Sequence, residues 1–362
     1  MQKTLSADLS ASKQIEKLDL LSWQSLNNSF RRRMVCRIGI DCGFFVEMNY
    51  MVNAMLYCLA NRIRFQLYSE AANFGTGVGW TEYFMPFCEE VHESFHRRYN
   101  FHRLPSWRRI LKMCIKQKSP SPIVWKIKSS LKTGIGRFVA LSVYKEYILF
   151  TQDVTINPDK QYTIPELGIS CDYTTVYGLL ARMIWRPRPV ILNMVSILTD
   201  KLNLPSIYDG IHIRGGDKIS ESKLISGISM MQLFDNKENR CVFVLTDDFR
   251  QYRELQETHP GFRFLTLCQT EECGYVHKDF LKESPARRRE AIIRLIISVN
   301  ILLGARSFVG SITTGPSVFI MKLRIDDPLV RAVDCPRELL ASTLSMTISE
   351  RAAISEKHSQ HL

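Results

Sequence analysis

The chain has no Cys-x-x-Cys pair. Its ten cysteines, Cys36, Cys42, Cys58, Cys88, Cys114, Cys171, Cys241, Cys268, Cys273 and Cys335, are scattered. That spacing suits reduced thiols in a cytosol better than a disulfide framework, so a cytoplasmic protein is expected. No long hydrophobic run is present either. The longest apolar stretch, residues 295–305, lies between Arg294 and Arg306; it is too short to span a bilayer and reads as a buried helix. Residues 1–30 carry no apolar core of signal-peptide length and are rich in Ser, Lys and Asp. Negative charge is short as well: 36 acidic against 48 basic residues leave a net charge of +12. Phosphate-bearing ligands, nucleic acid and acidic membrane surfaces are the partners such a balance suits, and charge spread for solubility is the plain alternative.

What is present is an ordinary globular balance, 45% apolar and 23% charged over 362 residues, which suggests two domains with ample core. The most informative stretch is Tyr208-Asp-Gly-Ile-His-Ile-Arg-Gly-Gly-Asp-Lys-Ile-Ser-Glu221. Residues 208–213 read as a strand entering a core. The strand ends at Arg214, and Gly215 and Gly216 let the backbone turn sharply and approach a ligand. One strand end therefore carries His212, Arg214, Asp217, Lys218 and Glu221. In open α/β sheets ligands bind at the carboxyl ends of strands, and a guanidinium there can grip a phosphate bidentately. A basic strand end with a salt-bridged Arg is the competing reading.

Two further blocks have the same form. Residues 240–248 are an almost continuous apolar run ending in Thr246, Asp247 and Asp248, as a buried parallel strand would. A helix over 249–259 and a strand over 261–267 follow. A metal-binding pair is a rival reading for the two acids, but neighbours on a strand point to opposite faces and chelate poorly together. Residues 287–303 read as a helix and 307–310 as a strand. Ser311, Thr313 and Thr314 then offer hydroxyls and backbone amides before a helix near Ser317. That is a phosphate cradle in type, or plain N-capping of the helix.

His212-Ile-Arg214-Gly-Gly-Asp217-Lys218 resembles the His-x-Arg-x-x-Asp-Lys motif of the α1,6-fucosyltransferases, which include the rhizobial nodulation enzymes and are more distantly related to the protein O-fucosyltransferases. The Thr-Asp-Asp strand end and the Ser311 block are similar to the second and third motifs of that family, and Arg186-Pro-Arg-Pro189 between two helices is similar to its approach to the Arg motif. The resemblance covers residues 175–325 well and the first half loosely. It implies an α/β fold of GT-B type, two Rossmann-like domains facing across a cleft. It also implies an inverting transfer of fucose from GDP-fucose to a glycan or lipid-linked glycan hydroxyl, with no metal and no other cofactor. The donor site would comprise His212, Arg214, Gly215, Gly216, Lys218, Asp247, Asp248, Ser311, Thr313 and Thr314. Arg214 would stabilise the leaving diphosphate. Glu221 is the expected base and Asp217 the second choice, although the family's acid aligns on Ser222. Near residue 267 the family carries an acid that helps hold guanine, and Leu267 leaves the donor base open. A different nucleotide sugar, or a basic polyanion-binding protein without turnover, are the alternative functions.

The expected organisation is a polar, poorly packed leader over 1–33, a Rossmann-like acceptor-side domain over 34–188, a nucleotide-sugar domain over 189–335 and a C-terminal tail over 336–362. In the first domain, strands over 35–40 and 64–69 flank a helix over 48–59. Gly43, Phe44 and Asn49 are candidates for the cleft wall, against an ordinary βα turn. The aromatic, glycine-rich residues 73–90 are either an acceptor platform or a loop anchor. His92-Glu-Ser-Phe-His96 matches a zinc-peptidase helix in spacing, but Tyr99 stands where the long form needs Gly, so a basic surface helix is preferred. Residues 105–137 interleave Lys and Arg with Trp107 and Trp125. No nucleic-acid-binding signature accompanies them, which leaves a solvated face or contact with anionic membrane.

Overall fold

The computed structural model describes residues 18–39, 42–100, 106–146, 154, 156–216, 225–234 and 240–359. The fold is α/β, with a parallel sheet unit in each half. In the first half β1 (Arg32–Arg37) pairs in parallel with β2 (Ile63–Tyr68). The crossover is the helix Phe44–Ala60. Its Met48, Met51, Val52, Met55, Leu56 and Leu59 recur at three- and four-residue steps and are all buried, so one apolar stripe fixes the helix on the sheet.

The expectation of a poorly packed leader is corrected for residues 18–30. The helix Leu20–Ser29 puts Trp23 wholly inside, against Phe65 and Phe87. Asn27 gives its amide to the Phe65 carbonyl at 3.0 Å and accepts from the Phe65 N–H at 2.8 Å, so its carboxamide stands in for a neighbouring strand on β2. Composition alone hid this, because a single buried Trp outweighs several polar neighbours in free energy. A short antiparallel pair, β3 (Tyr162–Ile164) with β4 (Ile169–Cys171), precedes the helix Tyr173–Ile184. That helix stops before Arg186-Pro187, and the next, Pro189–Lys201, leads to the second sheet.

The second sheet contains β5 (Asp209–Ile213), β6 (Cys241–Thr246), β7 (Arg263–Thr266), β8 (Ser307–Gly310) and β9 (Val330–Ala332). Its order is β7-β6-β5-β8-β9, parallel throughout. Alternation divides its two faces. Ile211, Ile213, Val242, Val244 and Val309 pack with Met230 and Leu255, while Phe243 and Phe308 pack towards the helix Pro285–Gly304. Each such residue, fully buried, contributes about 1.5–3 kcal/mol. The chain builds β5, β6 and β7 in one direction and then returns to β8 on the other side of β5. The order therefore reverses between β5 and β8, and in open α/β sheets such a reversal is where a ligand crevice lies, at the strands' carboxyl ends.

The halves share one hydrophobic cluster. Phe45 and Trp185 from the first meet Phe319 of the helix Gly315–Leu323 at ring distances of 5.1 and 4.8 Å. Trp80, Tyr83, Phe84 and Phe87 belong to this cluster and are fully buried. The acceptor-platform reading of residues 73–90 is thereby corrected: these rings stack on Phe44, Trp23 and one another, and no face is left for a sugar.

Candidate functional site

The β5 end delivers Arg214 into the crevice. Its Nη1 donates to Asp247 Oδ2, from the end of β6, and its guanidinium lies 4.7 Å from the Tyr275 ring centroid. Asp247 Oδ1 also accepts from the Gly215 N–H at 2.7 Å, and Oδ2 from the Tyr275 N–H at 3.0 Å. One carboxylate thus ties the β5 turn to the loop after β7 and aims the guanidinium, which stays 19% exposed. A guanidinium is a planar fork of five donors, a geometry that suits anionic oxygens.

The turn itself needs glycine. Gly216 has φ +67°, and a Cβ there would stand 2.6 Å from the Tyr275 nitrogen. Gly274, at φ +112°, faces Gly216 in return, and its Cβ would stand 2.6 Å from the Gly216 Cα. Two backbones interlock here, which leaves no room for side chains and fixes where Arg214 points.

His212 is placed differently from Arg214. It is buried, with Nδ1 2.7 Å from Ser317 Oγ and 3.3 Å from Thr314 Oγ1. Burial, with a smaller push from Arg214, lowers its pKa to about 3, so the ring is neutral. It joins β5 to the start of the Gly315–Leu323 helix.

The cradle after β8 is largely occupied from within. Ser311 Oγ donates to Asp334 Oδ2 at 2.6 Å and Ile312 N–H to Asp334 Oδ1 at 2.9 Å, while Ser355 also donates to Asp334. Asp334 is wholly buried. Its carboxylate takes the donors that a phosphate would use, so Ser311 shapes the turn without facing the crevice. Thr314 is buried too, and Thr313 is the half-exposed hydroxyl of the three. Asp248 likewise turns away: it caps the Phe249–Thr258 helix through the Arg250 N–H at 3.0 Å and pairs with the Arg250 side chain at 2.6 Å. Arg250 holds its pKa below the usual carboxylate range. The two adjacent acids do face opposite partners.

Of the cleft-wall candidates, Phe44 is a core ring packed on Phe45 and Phe74, which corrects its assignment to a wall. Gly43 caps the Phe44–Ala60 helix with open space beside it. Asn49 accepts from Lys322 Nζ at 3.3 Å. Asp217, Lys218, Glu221 and Ser222 lie outside the described residues. Sequence reading missed Tyr275, Gly274 and Asp334. A Gly-Tyr pair closing the loop after β7 was the available signal for the first two, and nothing local pointed to Asp334.

The His92 and His96 pair does not converge. His92 Nδ1 sits 2.7 Å from Glu70, whereas His96 is buried beside Arg37 at 2.9 Å, which corrects its reading as a surface residue. Among the described residues no group of three or more His, Cys, Asp or Glu is arranged to hold a metal. Among them, too, no helix is long and apolar enough to cross a membrane.

No protein-family model matches the chain, and no curated protein matches it in sequence. Among solved structures it is similar to the fucosyltransferase NodZ from Bradyrhizobium at 12% identity, over 83% of this chain and 94% of that one, with a TM-score of 0.46. It is similar to POFUT1 in its apo form at 10% identity, over 83% of this chain and 97% of that one, with a TM-score of 0.45. For a mutant of Arabidopsis thaliana FUT1 in complex with GDP the figures are 10% identity, 81% and 68% coverage, and a TM-score of 0.43.

Proposed function

We propose that the chain is an inverting glycosyltransferase that moves fucose from GDP-fucose to a hydroxyl of a glycan or lipid-linked glycan. The observation that carries this is Arg214, held by Asp247 and Tyr275 at the strand-order reversal of a parallel sheet. An anionic group bound there meets a fixed, permanently charged fork. In the reaction the acceptor oxygen bonds to the anomeric carbon on the face opposite the diphosphate. The glycosidic C–O bond to phosphate breaks, and Arg214 stabilises the charge that collects on the departing GDP. The acceptor proton passes to a carboxylate, which we assign to Glu221, seven residues beyond Arg214, with Asp217 as second choice. Gly215, Gly216, Lys218 and Thr313 complete the donor contacts, while His212, Asp248, Ser311 and Thr314 act from beneath. No metal is needed if Arg214 does a cation's work. Residues 34–188 would carry the acceptor side and 189–335 the donor. The scattered cysteine spacing, without a Cys-x-x-Cys pair, supports a cytoplasmic setting for this reading.

A second reading, another nucleotide sugar, is favoured by Leu267, which packs against the core where the resemblance calls for an acid near the base. Incubating purified protein with a panel of nucleotide sugars and measuring nucleotide release tests both. GDP-fucose should be cleaved fastest, and Glu221→Gln should slow transfer by ~10²–10⁴-fold with donor affinity kept. Faster release from a different donor selects the second reading. No release and no nucleotide binding with any donor sinks both.

A further inference from the structure

Residues 106–145 contain ten Lys or Arg and no Asp or Glu. They form a helical hairpin, Trp107–Gln117 and Ser121–Val139, joined through Lys118 in the left-handed region. The second helix has two faces. Pro122, Lys126, Gly136 and Ala140 are buried on one of them, where the ring of Tyr99 closes on Gly136 and Phe95 on Ala140. Val124, Ile127, Leu131, Ile135 and Phe138 follow steps of three, four, four and three residues and are exposed. At 3.6 residues per turn these two stripes lie on opposite sides of the helix. Trp107, Leu111 and Ile115 repeat the exposed pattern on the first helix. Exposure reaches 78% at Ile115, 66% at Leu131 and 70% at Phe138. Lys126 reaches back to lie 4.4 Å from the Trp107 ring centroid, which ties the helices together. A stripe of large apolar side chains this long is not left in water without a use.

We propose that this hairpin docks on an anionic membrane surface, its apolar stripes entering the boundary between headgroups and acyl chains and its cations resting among acidic headgroups. The charge pattern selects this occupant. A second copy bound symmetrically would set the same acid-free surface against itself, cation facing cation. A nucleic acid would meet the cations but has no partner for an aliphatic stripe. A spanning role is excluded by Lys126, Lys128, Lys132 and Arg137 within the Ser121–Val139 helix. An amphipathic basic helix that lies in the interface satisfies both features at once. The surface uses no residue of the candidate site, so it stands or falls apart from the transferase reading.

Co-sedimentation of the purified full chain with vesicles provides the test, comparing phosphatidylcholine alone with phosphatidylcholine plus phosphatidylglycerol. The chain should pellet with the anionic vesicles and release as salt rises. Leu131→Glu with Phe138→Glu should weaken binding by about tenfold or more, and Lys116→Gln with Lys128→Gln by about tenfold. These side chains are exposed, so circular dichroism and melting should match the parent. Ile115→Glu, on the other helix, provides an independent variant should the first pair unfold. The proposal is overturned if anionic and neutral vesicles pellet the chain equally, or if the glutamate variants bind as the parent does. It is also overturned if the chain stays in solution at low salt, or if sedimentation velocity without lipid shows a dimer that the same variants abolish.

Discussion

Arg37 and Arg214 occupy the same station in the two halves: each stands at the carboxyl end of the first strand of a parallel sheet. Arg37 is sealed, its side chain 2% exposed and paired at 2.9 and 2.7 Å with both oxygens of Glu146, which is wholly buried. His96 closes the other side. Burial lowers the Arg37 pKa and raises that of Glu146, so desolvation works against both charges and their mutual contact offsets it. Arg214 pairs with a carboxylate too, but a glycine turn and an aromatic face leave it at a crevice. The same residue type, strand end and kind of partner give a structural rivet in one half and, in the function proposed above, an anion grip in the other. Solvent access makes the difference.

The hardest way to break this comparison is to treat Arg37 as though it were functional. Arg37→Met strips the buried Glu146 of its guanidinium partner, and should cost about 3–5 kcal/mol of stability in urea unfolding. A loss below about 1 kcal/mol would mean that the pair is not sealed. Arg214→Lys should do the reverse. Replacing a fork by a point charge forfeits about 1.5–3 kcal/mol of charge-assisted bonding, which lowers transfer roughly tenfold or more, while the melting temperature moves little. Full turnover with unchanged GDP affinity would remove Arg214 from the mechanism.

Acid sharpens the comparison. His96, lowered to about 4, and His212, lowered to about 3, are both depressed, chiefly by burial, below their ordinary value of 6.5. Below that value the unfolded chain binds protons that the folded chain refuses. Their contribution is therefore complete above pH 6.5 and is lost as pH falls towards the folded values. Between pH 7 and 5 the fold should lose on the order of 2 kcal/mol to His212, and His212→Asn should flatten that slope. An unchanged slope would show that the ring is not buried as neutral imidazole. The smallest effect is expected at Asp248, whose carboxylate caps a helix. Asp248→Ala should cost ~1 kcal/mol and leave donor affinity intact, and a large loss of donor affinity would return Asp248 to the crevice.

Much of the second half was legible in the chain. The strand over 307–310 is found where it was expected, and β5, β6 and β7 lie within a residue or two of their expected bounds, because parallel strands buried on both faces leave short apolar runs. The turn at Gly215 and Gly216 was legible too, since a glycine pair directly after an apolar run marks a tight turn with close backbone approach. The first half was read less well. Trp23 made a core helix out of an apparent leader, and the rings of residues 80–87 proved to be interior.

Local sequence determined which segments became strands and helices, that β5 ends in Arg214 at a glycine turn, and that residues 106–145 carry charge of one sign. Those properties depend on neighbours within a few residues. Tertiary structure decided which charged and hydroxyl groups face the crevice. Glu146 reaches Arg37 from 109 residues away, and Asp334 reaches Ser311 from 23 residues away. Burial of a polar group depends on which distant segment comes back to cover it, and no local pattern records that return.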